Sequence, residues 1–265
     1  MIDKIPVSVF IIAKDEADRI GATIKSVRDW ADEVIVIDSG STDETVSLSD
    51  ALGARVLFNE WKGYGPQKNF GESLCKNEWL LNLDADEEVT PQLRDSIISL
   101  FAKGVPKHKA YRLKRKILFR LEDKPPLLAP GDKPVRLYHK GSAGFKDSTV
   151  HDSVEIYGPD KTAPLLKGIL LHRCFRNLEH WCYKINFYST MQAEDYVQRR
   201  RRPSDIRILI EPVLSFLKAY FLRRYFLYGI DGFVGSMLYA HARMLRMAKV
   251  RELVKERRYN ARHGI

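Results

Sequence analysis

The chain has 265 residues, 45% hydrophobic and 11% aromatic, with 44 lysines and arginines against 34 aspartates and glutamates for a formal charge of +10. This composition supports a globular core and excludes a disordered chain, a collagen and a coiled coil. Three cysteines (Cys75, Cys174 and Cys182), odd in number and without paired metal spacing, argue against a disulfide framework or zinc site and for a reducing cytoplasm.

No transmembrane helix is expected: the longest near-apolar run, Tyr225 to Ala240, is shorter than the roughly 20 residues a bilayer crossing needs, and it carries Asp231. No signal peptide is expected either, since the first apolar run leads straight into Lys14-Asp15-Glu16 without a small-residue cleavage pattern. The charge is unevenly placed. From Arg199 to Ile265 there are 16 basic and 5 acidic residues, which leaves 28 basic and 29 acidic residues elsewhere. The asymmetry implies a near-neutral body and a basic extension with an anionic partner of its own.

In the body, Ile5 to Ala13, Glu33 to Asp38, Ala54 to Phe58 and Glu78 to Leu83 read as strands buried on both faces. Between them, helices are expected over Asp15 to Trp30 (Ile20, Ile24 and Val27 at helical spacing), Thr42 to Leu52 and Gln67 to Cys75. The alternation predicts βαβ units and an α/β fold with a mainly parallel sheet, whose ligands bind at the carboxyl ends of the strands. Two acidic clusters fall at such ends, Asp38-Ser39-Gly40-Ser41-Thr42-Asp43 and Asp84-Ala85-Asp86-Glu87-Glu88. Carboxylates crowded at one edge repel unless a cation sits among them, and two or three hard oxygen ligands suit Mg²⁺ or Mn²⁺ shared with a substrate's phosphates. Either cluster alone reads more readily as a solvated turn or helix cap; the two together at strand ends favour the cation site.

Further on, Lys109 to Leu121 is expected as one strand, followed by a long loop punctuated by Pro125-Pro126, Pro130-Gly131 and Pro134. Asn177 to Arg202 reads as a helix, with Pro203 in the first turn of the next. Phe216, Leu217, Tyr220, Phe221, Tyr225 and Phe226 then alternate with Lys218, Arg223 and Arg224, the pattern of an in-plane membrane helix on anionic lipid. Helix-on-helix or homo-oligomer packing of these aromatics is the alternative. Nucleic acid is disfavoured because none of its binding motifs is present.

The opening strand with Ala13-Lys14-Asp15-Glu16, the segment 38–43 and the Asp84-Ala85-Asp86 motif, in that order, resemble glycosyltransferase family 2, the inverting GT-A enzymes. Trp61 to Asn69, Leu81 to Glu88, Val150-His151-Asp152 and the tail from Phe216 are similar to the lipopolysaccharide core glucosyltransferases of that family. The resemblance implies that Asp38 bonds the uracil of a UDP-sugar, that Asp15 or Glu16 lines the nucleoside pocket, and that Lys68 contacts the nucleotide. It further implies that Asp86 binds the metal while Asp84 supports the ribose or the metal's surroundings. Asp152, where the family more often has Glu, stands in the position of the general base. His172 is a candidate for the metal or diphosphate, or a structural histidine. Trp61 and Tyr64 stack on sugar or pack the body, and Lys114, Arg115, Lys116, Arg120 and Arg136 meet a phosphorylated acceptor or form a solvated basic face.

The expectation is therefore a GT-A domain over residues 1–175 and a basic helical region over 176–265 that holds it at the cytoplasmic face of the inner membrane. The enzyme would move a hexose, glucose first, from UDP to a lipid-linked core saccharide with a divalent cation and inversion to a β-glycoside. A nucleotidyltransferase is disfavoured by the acidic segment 13–21, where a basic phosphate loop would be needed. A non-catalytic membrane scaffold would gain nothing from Asp38, Asp84, Asp86 and Asp152.

Overall fold

The computed structural model describes residues 4–102, 104–119, 122–147, 153–199 and 203–264. They form two compact units, one running to Ile117 with Gly131–Arg173, the other made of 118–130 with 174 onward. The first unit contains β1 (Ile5–Ala13), α1 (Ile20–Lys25), β2 (Ala31–Asp38), α2 (Thr45–Ala51), β3 (Arg55–Phe58), α3 (Tyr64–Leu74), β4 (Trp79–Asp84) and β5 (Glu87–Val89). After these come α4 (Pro91–Phe101), β6 (Ala110–Arg112), β7 (Arg115–Ile117), β8 (Gly131–Asp132), β9 (Val135–His139), β10 (Ala143–Phe145), β11 (Val154–Ile156) and β12 (Leu170–His172).

The main sheet has the order β3-β2-β1-β4-β9-β6. Its first four strands pair in parallel, and β9 runs antiparallel to both β4 and β6. A strand buried on both faces sends alternate residues to two cores. In β1, Val7, Val9 and Ile11 enter one core while Phe10 and Ile12 enter the other; in β2, Val34 and Val36 oppose Ile35 and Ile37 in the same way. Ile20 and Ile24 of α1 and Leu93 and Ile97 of α4 close the first core, and Phe70 and Leu74 of α3 pack on the second. A smaller sheet, β5-β12-β7-β8, and the β10-β11 hairpin complete the unit.

Several elements depart from the sequence reading. The helix expected over Asp15 to Trp30 is helical only across α1, because the chain before it gives its amides to the neighbouring loop: Asp15 N to Ser41 Oγ (2.9 Å), Glu16 N to Thr45 Oγ1 (2.7 Å) and Ala17 N to Asp43 Oδ2 (3.1 Å). The single strand expected over Lys109 to Leu121 is two short strands in different sheets, β6 beside β9 and β7 beside β12. Of the three cysteines, Cys182 is exposed while Cys75 and Cys174 are buried, and burial pushes the Cys75 thiol up to about 12.

Glu72 of α3 fastens the second core to the β10-β11 hairpin. Its Oε1 accepts from the Tyr138 hydroxyl and from Phe145 N. Burial pushes its carboxyl up, against the pull of those two hydrogen bonds. An acid whose folded pKa exceeds its ordinary value of 4.5 contributes most below that pH and loses the contribution as pH rises through the folded value. Glu72→Gln keeps the accepting oxygen, so its melting temperature should exceed the wild type's at about pH 8 and converge with it near pH 4. Calorimetry across that range would check this, and an excess that did not vary with pH would exclude the linkage.

The second unit is helical: α5 (Leu178–Gln198), α6 (Asp205–Leu217), a π turn (Lys218–Leu222), a 3₁₀ turn (Tyr225–Tyr228) and α7 (Gly229–His263). Asn177 caps α5, its Oδ1 accepting from His180 N at 2.7 Å, and Ser204 caps α6, its Oγ accepting from Arg207 N at 3.3 Å. Pro203 therefore precedes the cap and is not in the helix's first turn. Both α5 and α6 pack along α7. Among the described residues no helix is long and apolar enough to cross a membrane. Of the aromatics read from the sequence as facing a membrane, Phe216 and Tyr220 instead stack on one another and meet Phe233 edge-on.

Candidate active site

Strand register brings the acidic clusters together. β1 lies between β2 and β4, with Ala13 opposite Asp38 on one side and Ile12 opposite Asp84 on the other. Two strand spacings put the backbones of Asp38 and Asp84 on the order of 10 Å apart at the same carboxyl edge.

On the β2 side, Asp38 is buried and shapes its own turn, Oδ2 accepting from Gly40 N (2.8 Å) and Ser41 N (2.9 Å) and Oδ1 from the Ser41 hydroxyl. Gly40 sits at φ 89, a conformation glycine adopts without the penalty a Cβ would bring. Asp15, at φ 53, accepts from Thr42 N (2.7 Å) and Thr42 Oγ1 (3.2 Å), so the ends of β1 and β2 are stitched into one loop pair. Gln67 of α3 reaches the same place, donating to Ser39 Oγ at 3.0 Å.

On the β4 side the carboxylates are answered by cations. Asp84 accepts from Lys68 Nζ through Oδ1 (2.9 Å) and from Arg136 Nη2 through Oδ2 (2.7 Å). Burial would push its carboxyl up, but Arg136 and Lys68 hold it well below the usual carboxylate range. Arg136, 3% exposed, also donates to Glu87 Oε1 (2.8 Å) and to Asn82 Oδ1. Arg115 bonds Glu87 at 2.9 Å and grips Asp132 with two nitrogens. These two arginines are thus committed to internal carboxylates and not, as the basic run in the sequence suggested, open to a phosphorylated acceptor. Lys116 is buried as well. Arg120 lies outside the described residues.

Asp86 follows in the turn between β4 and β5. Because β5 pairs with β12 and sets Glu87 opposite His172, the imidazole comes to Asp86, with Nε2 3.4 Å from Oδ1. Burial pushes the Asp86 carboxyl up and the His172 imidazole down, yet their mutual contact, with Arg19 assisting the carboxylate, lowers the first and raises the second. The sequence reading missed Arg19. It is buried, donates from Nη1 to Asp86 Oδ2 (3.3 Å) and to Arg173 O (2.9 Å), and grips Glu16 with Nε and Nη2. The only signal in the sequence was its spacing of three from Glu16.

The donor set fits a divalent cation held partly by substrate. Asp86 and His172 offer one carboxylate and one imidazole at a polar strand edge, and no group of three or more such ligands gathers among the described residues. Mg²⁺ and Mn²⁺ complete such a shell with phosphate oxygens and water. His151 and Asp152, where the sequence placed the general base, lie outside the described residues. Trp61 is 44% exposed and meets Tyr64 edge-on at 4.9 Å.

The model of the family "Glycosyl transferase family 2" matches residues 8–108, which hold most of β1, all of β2 to β5 and both acidic clusters. An uncharacterized glycosyltransferase of Rickettsia bellii (strain RML369-C) is 46% identical over 255 residues, covering 93% of this chain and 86% of that one. The lipopolysaccharide core biosynthesis glycosyltransferase LpsC of Rhizobium meliloti (strain 1021) is 31% identical over 266 residues, with coverage of 94% and 93%. The chain belongs to glycosyltransferase family 2, and its first unit is an α/β fold of the GT-A kind with a mixed sheet. It is a glycosyltransferase, which sets aside the nucleotidyltransferase and scaffold readings. Among solved structures, glucosyl-3-phosphoglycerate synthase from Mycobacterium tuberculosis superposes with a TM-score of 0.33 at 23% identity, over 43% of this chain and 44% of that one, too distant to inform the site.

Proposed function

We propose that this glycosyltransferase moves a hexose, glucose first, from a UDP-sugar to a saccharide of the lipopolysaccharide core and forms a β-glycosidic bond. The observation that carries the reading is the meeting of two clusters at one sheet edge, Asp15 with Asp38 on one side of β1 and Asp86 with His172 on the other. The likeness to LpsC over nearly the full length of both chains supports the acceptor class.

In this reading Asp38, Asp15 and Glu16 surround the nucleoside, and the buried Lys68 and Arg136 keep Asp84 ionised beneath the ribose. Asp86 and His172 hold the divalent cation, which supplies neutralisation of the diphosphate leaving group. Arg19 orients Asp86 from the side opposite His172. Asp152 takes the proton of the acceptor hydroxyl as that oxygen attacks the anomeric carbon from the face away from UDP, and the single displacement inverts the configuration. The test is UDP release from a panel of UDP-sugars with Mg²⁺ or Mn²⁺, with and without deacylated core saccharide. Turnover confined to one UDP-hexose, dependent on metal and stimulated by the core saccharide, is expected; stimulation by a peptide or an unrelated polysaccharide in its place would overturn the acceptor.

A further inference from the structure

The helix α6 turns an aliphatic face to solvent. A surface helix ordinarily turns its apolar stripe inward and its polar residues outward. In α6, Ser215 is buried and Glu211 half-buried, while Ile206 (68% exposed), Leu209 (75%), Ile210, Val213, Leu214 and Leu217 face out. The positions 206, 209, 210, 213, 214 and 217 repeat at the three-and-four spacing of one helix face. On the inner side Ser215 and Glu211 sit beside the half-buried Ile208 and Phe216, and Glu211 is satisfied within the helical unit, pairing with Arg243 of α7 at 3.3 Å and with Arg207 at 3.4 Å. The outer side is thus a continuous aliphatic face with no partner in the helical unit among the described residues. The chain continues the pattern through the π turn, where Phe221 is 56% and Leu222 79% exposed. Apolar patches of this extent mark a partner or a lipid surface.

Charge decides between the two. Lys218, Arg223 and Arg224 stand exposed just beyond the aliphatic face, and from Pro212 to Ile230 the chain has no acidic residue. A second copy docking through the same face would bring these cations against their own images, which a two-fold interface must then offset. An anionic bilayer accepts both features, taking the aliphatic side chains into the headgroup boundary and drawing the cations to its phosphates. We propose that α6 and the turn after it form an in-plane membrane-binding surface, with Ile206, Leu209, Ile210, Val213, Leu214 and Leu217 as the inserted face and Lys218, Arg223 and Arg224 as its anionic-lipid contacts. This rests on the helical unit alone and stands whether or not the sugar and acceptor named above are right.

The experiment is vesicle flotation of the full chain with phosphatidylcholine alone and with phosphatidylcholine containing phosphatidylglycerol. Binding to the anionic vesicles is expected, with much less to the neutral ones and a marked loss when salt rises from about 0.1 M to about 0.5 M. The triple variant L209Q/V213Q/L214Q removes three exposed side chains while keeping helix-compatible residues, and its vesicle affinity should fall by about 100-fold or more at unchanged helical circular dichroism and UDP affinity. Separately, the Leu214→Trp emission should shift to shorter wavelength on adding anionic vesicles. Wild-type flotation of the triple variant, or an unmoved Trp emission, would overturn the proposal. So would a dimer in light scattering that dissociates on the same three substitutions while anionic vesicles leave the wild type unbound, since the face would then join two copies.

Discussion

Asp86→Ala is expected to lower kcat/KM for glycosyl transfer by about 10²- to 10⁴-fold, the range that corresponds to losing several kcal/mol of charge stabilisation at a leaving diphosphate. The geometry makes the effect specific. Asp86 is held by longer contacts, to His172 at 3.4 Å and to Arg19 at 3.3 Å, whereas Asp84 is gripped by Lys68 at 2.9 Å and Arg136 at 2.7 Å. Manganese affinity measured by electron paramagnetic resonance with UDP present should fall in the same variant, which separates loss of the cation from loss of fold. His172→Ala should cost less, about 10- to 100-fold, since one ligand and the substrate's phosphates remain. Full activity of Asp86→Ala, or wild-type turnover undiminished by a chelator, would remove both residues from the metal-binding role proposed for them.

Arg136→Met is expected to destabilise the chain by about 3–5 kcal/mol, because it removes the most deeply buried cation between Asp84 and Glu87 and leaves them only Lys68 and Arg115. Exposed pairs such as Arg94 with Asp95 or Arg199 with Asp195 stand in contrast, each worth about 1 kcal/mol or less. The pH dependence has a definite sign. Asp84 is depressed in the folded state, so the stability it contributes is present above its ordinary 3.8 and is lost as pH falls through its folded value. Urea denaturation should therefore show wild type and Arg136→Met furthest apart near neutrality, the gap narrowing below about pH 4. A neutral-pH difference under about 1 kcal/mol would mean that the network is only a surface-like pairing.

Much of the first unit was legible in the sequence because its strands are strongly patterned. The run from Ile5 to Ala13 forms one strand end to end, and the two acidic clusters fall at the ends of β2 and β4 as apolar runs closing in carboxylates suggested. The helix expected from Asn177 begins at Leu178 with Asn177 as its cap, whereas Pro203, expected in the first turn of the next helix, precedes that helix's cap, Ser204. What failed did so where a long-range partner outbid a local preference. The helix expected from Asp15 rested on the spacing of Ile20, Ile24 and Val27, yet the amides of Asp15, Glu16 and Ala17 went to Ser41, Thr45 and Asp43 across the loop. Arg115 and Arg136 read as meeting a phosphorylated acceptor or facing water, yet Arg115 found Glu87 and Asp132, and Arg136 found Asp84. Arginines read alike in sequence whether they face water or a buried carboxylate, because the carboxylate that answers them comes from a distant strand.

The sequence by itself determined the family, the α/β character and the identity of the acidic groups at the sheet edge, since these follow from hydrophobic periodicity and from motifs whose residues are neighbours in the chain. Only the tertiary structure decided how those groups are divided. His172 joins Asp86 through the pairing of β12 with β5, Arg19 braces Asp86 from α1's start, and Asp84 is neutralised by α3 and β9. It also decided that α6 buries Ser215 and leaves Ile206, Leu209, Ile210, Val213, Leu214 and Leu217 exposed, which composition could not show. Both outcomes depend on which distant groups meet, and strand register and helix rotation, which set that, are collective properties of the packed chain.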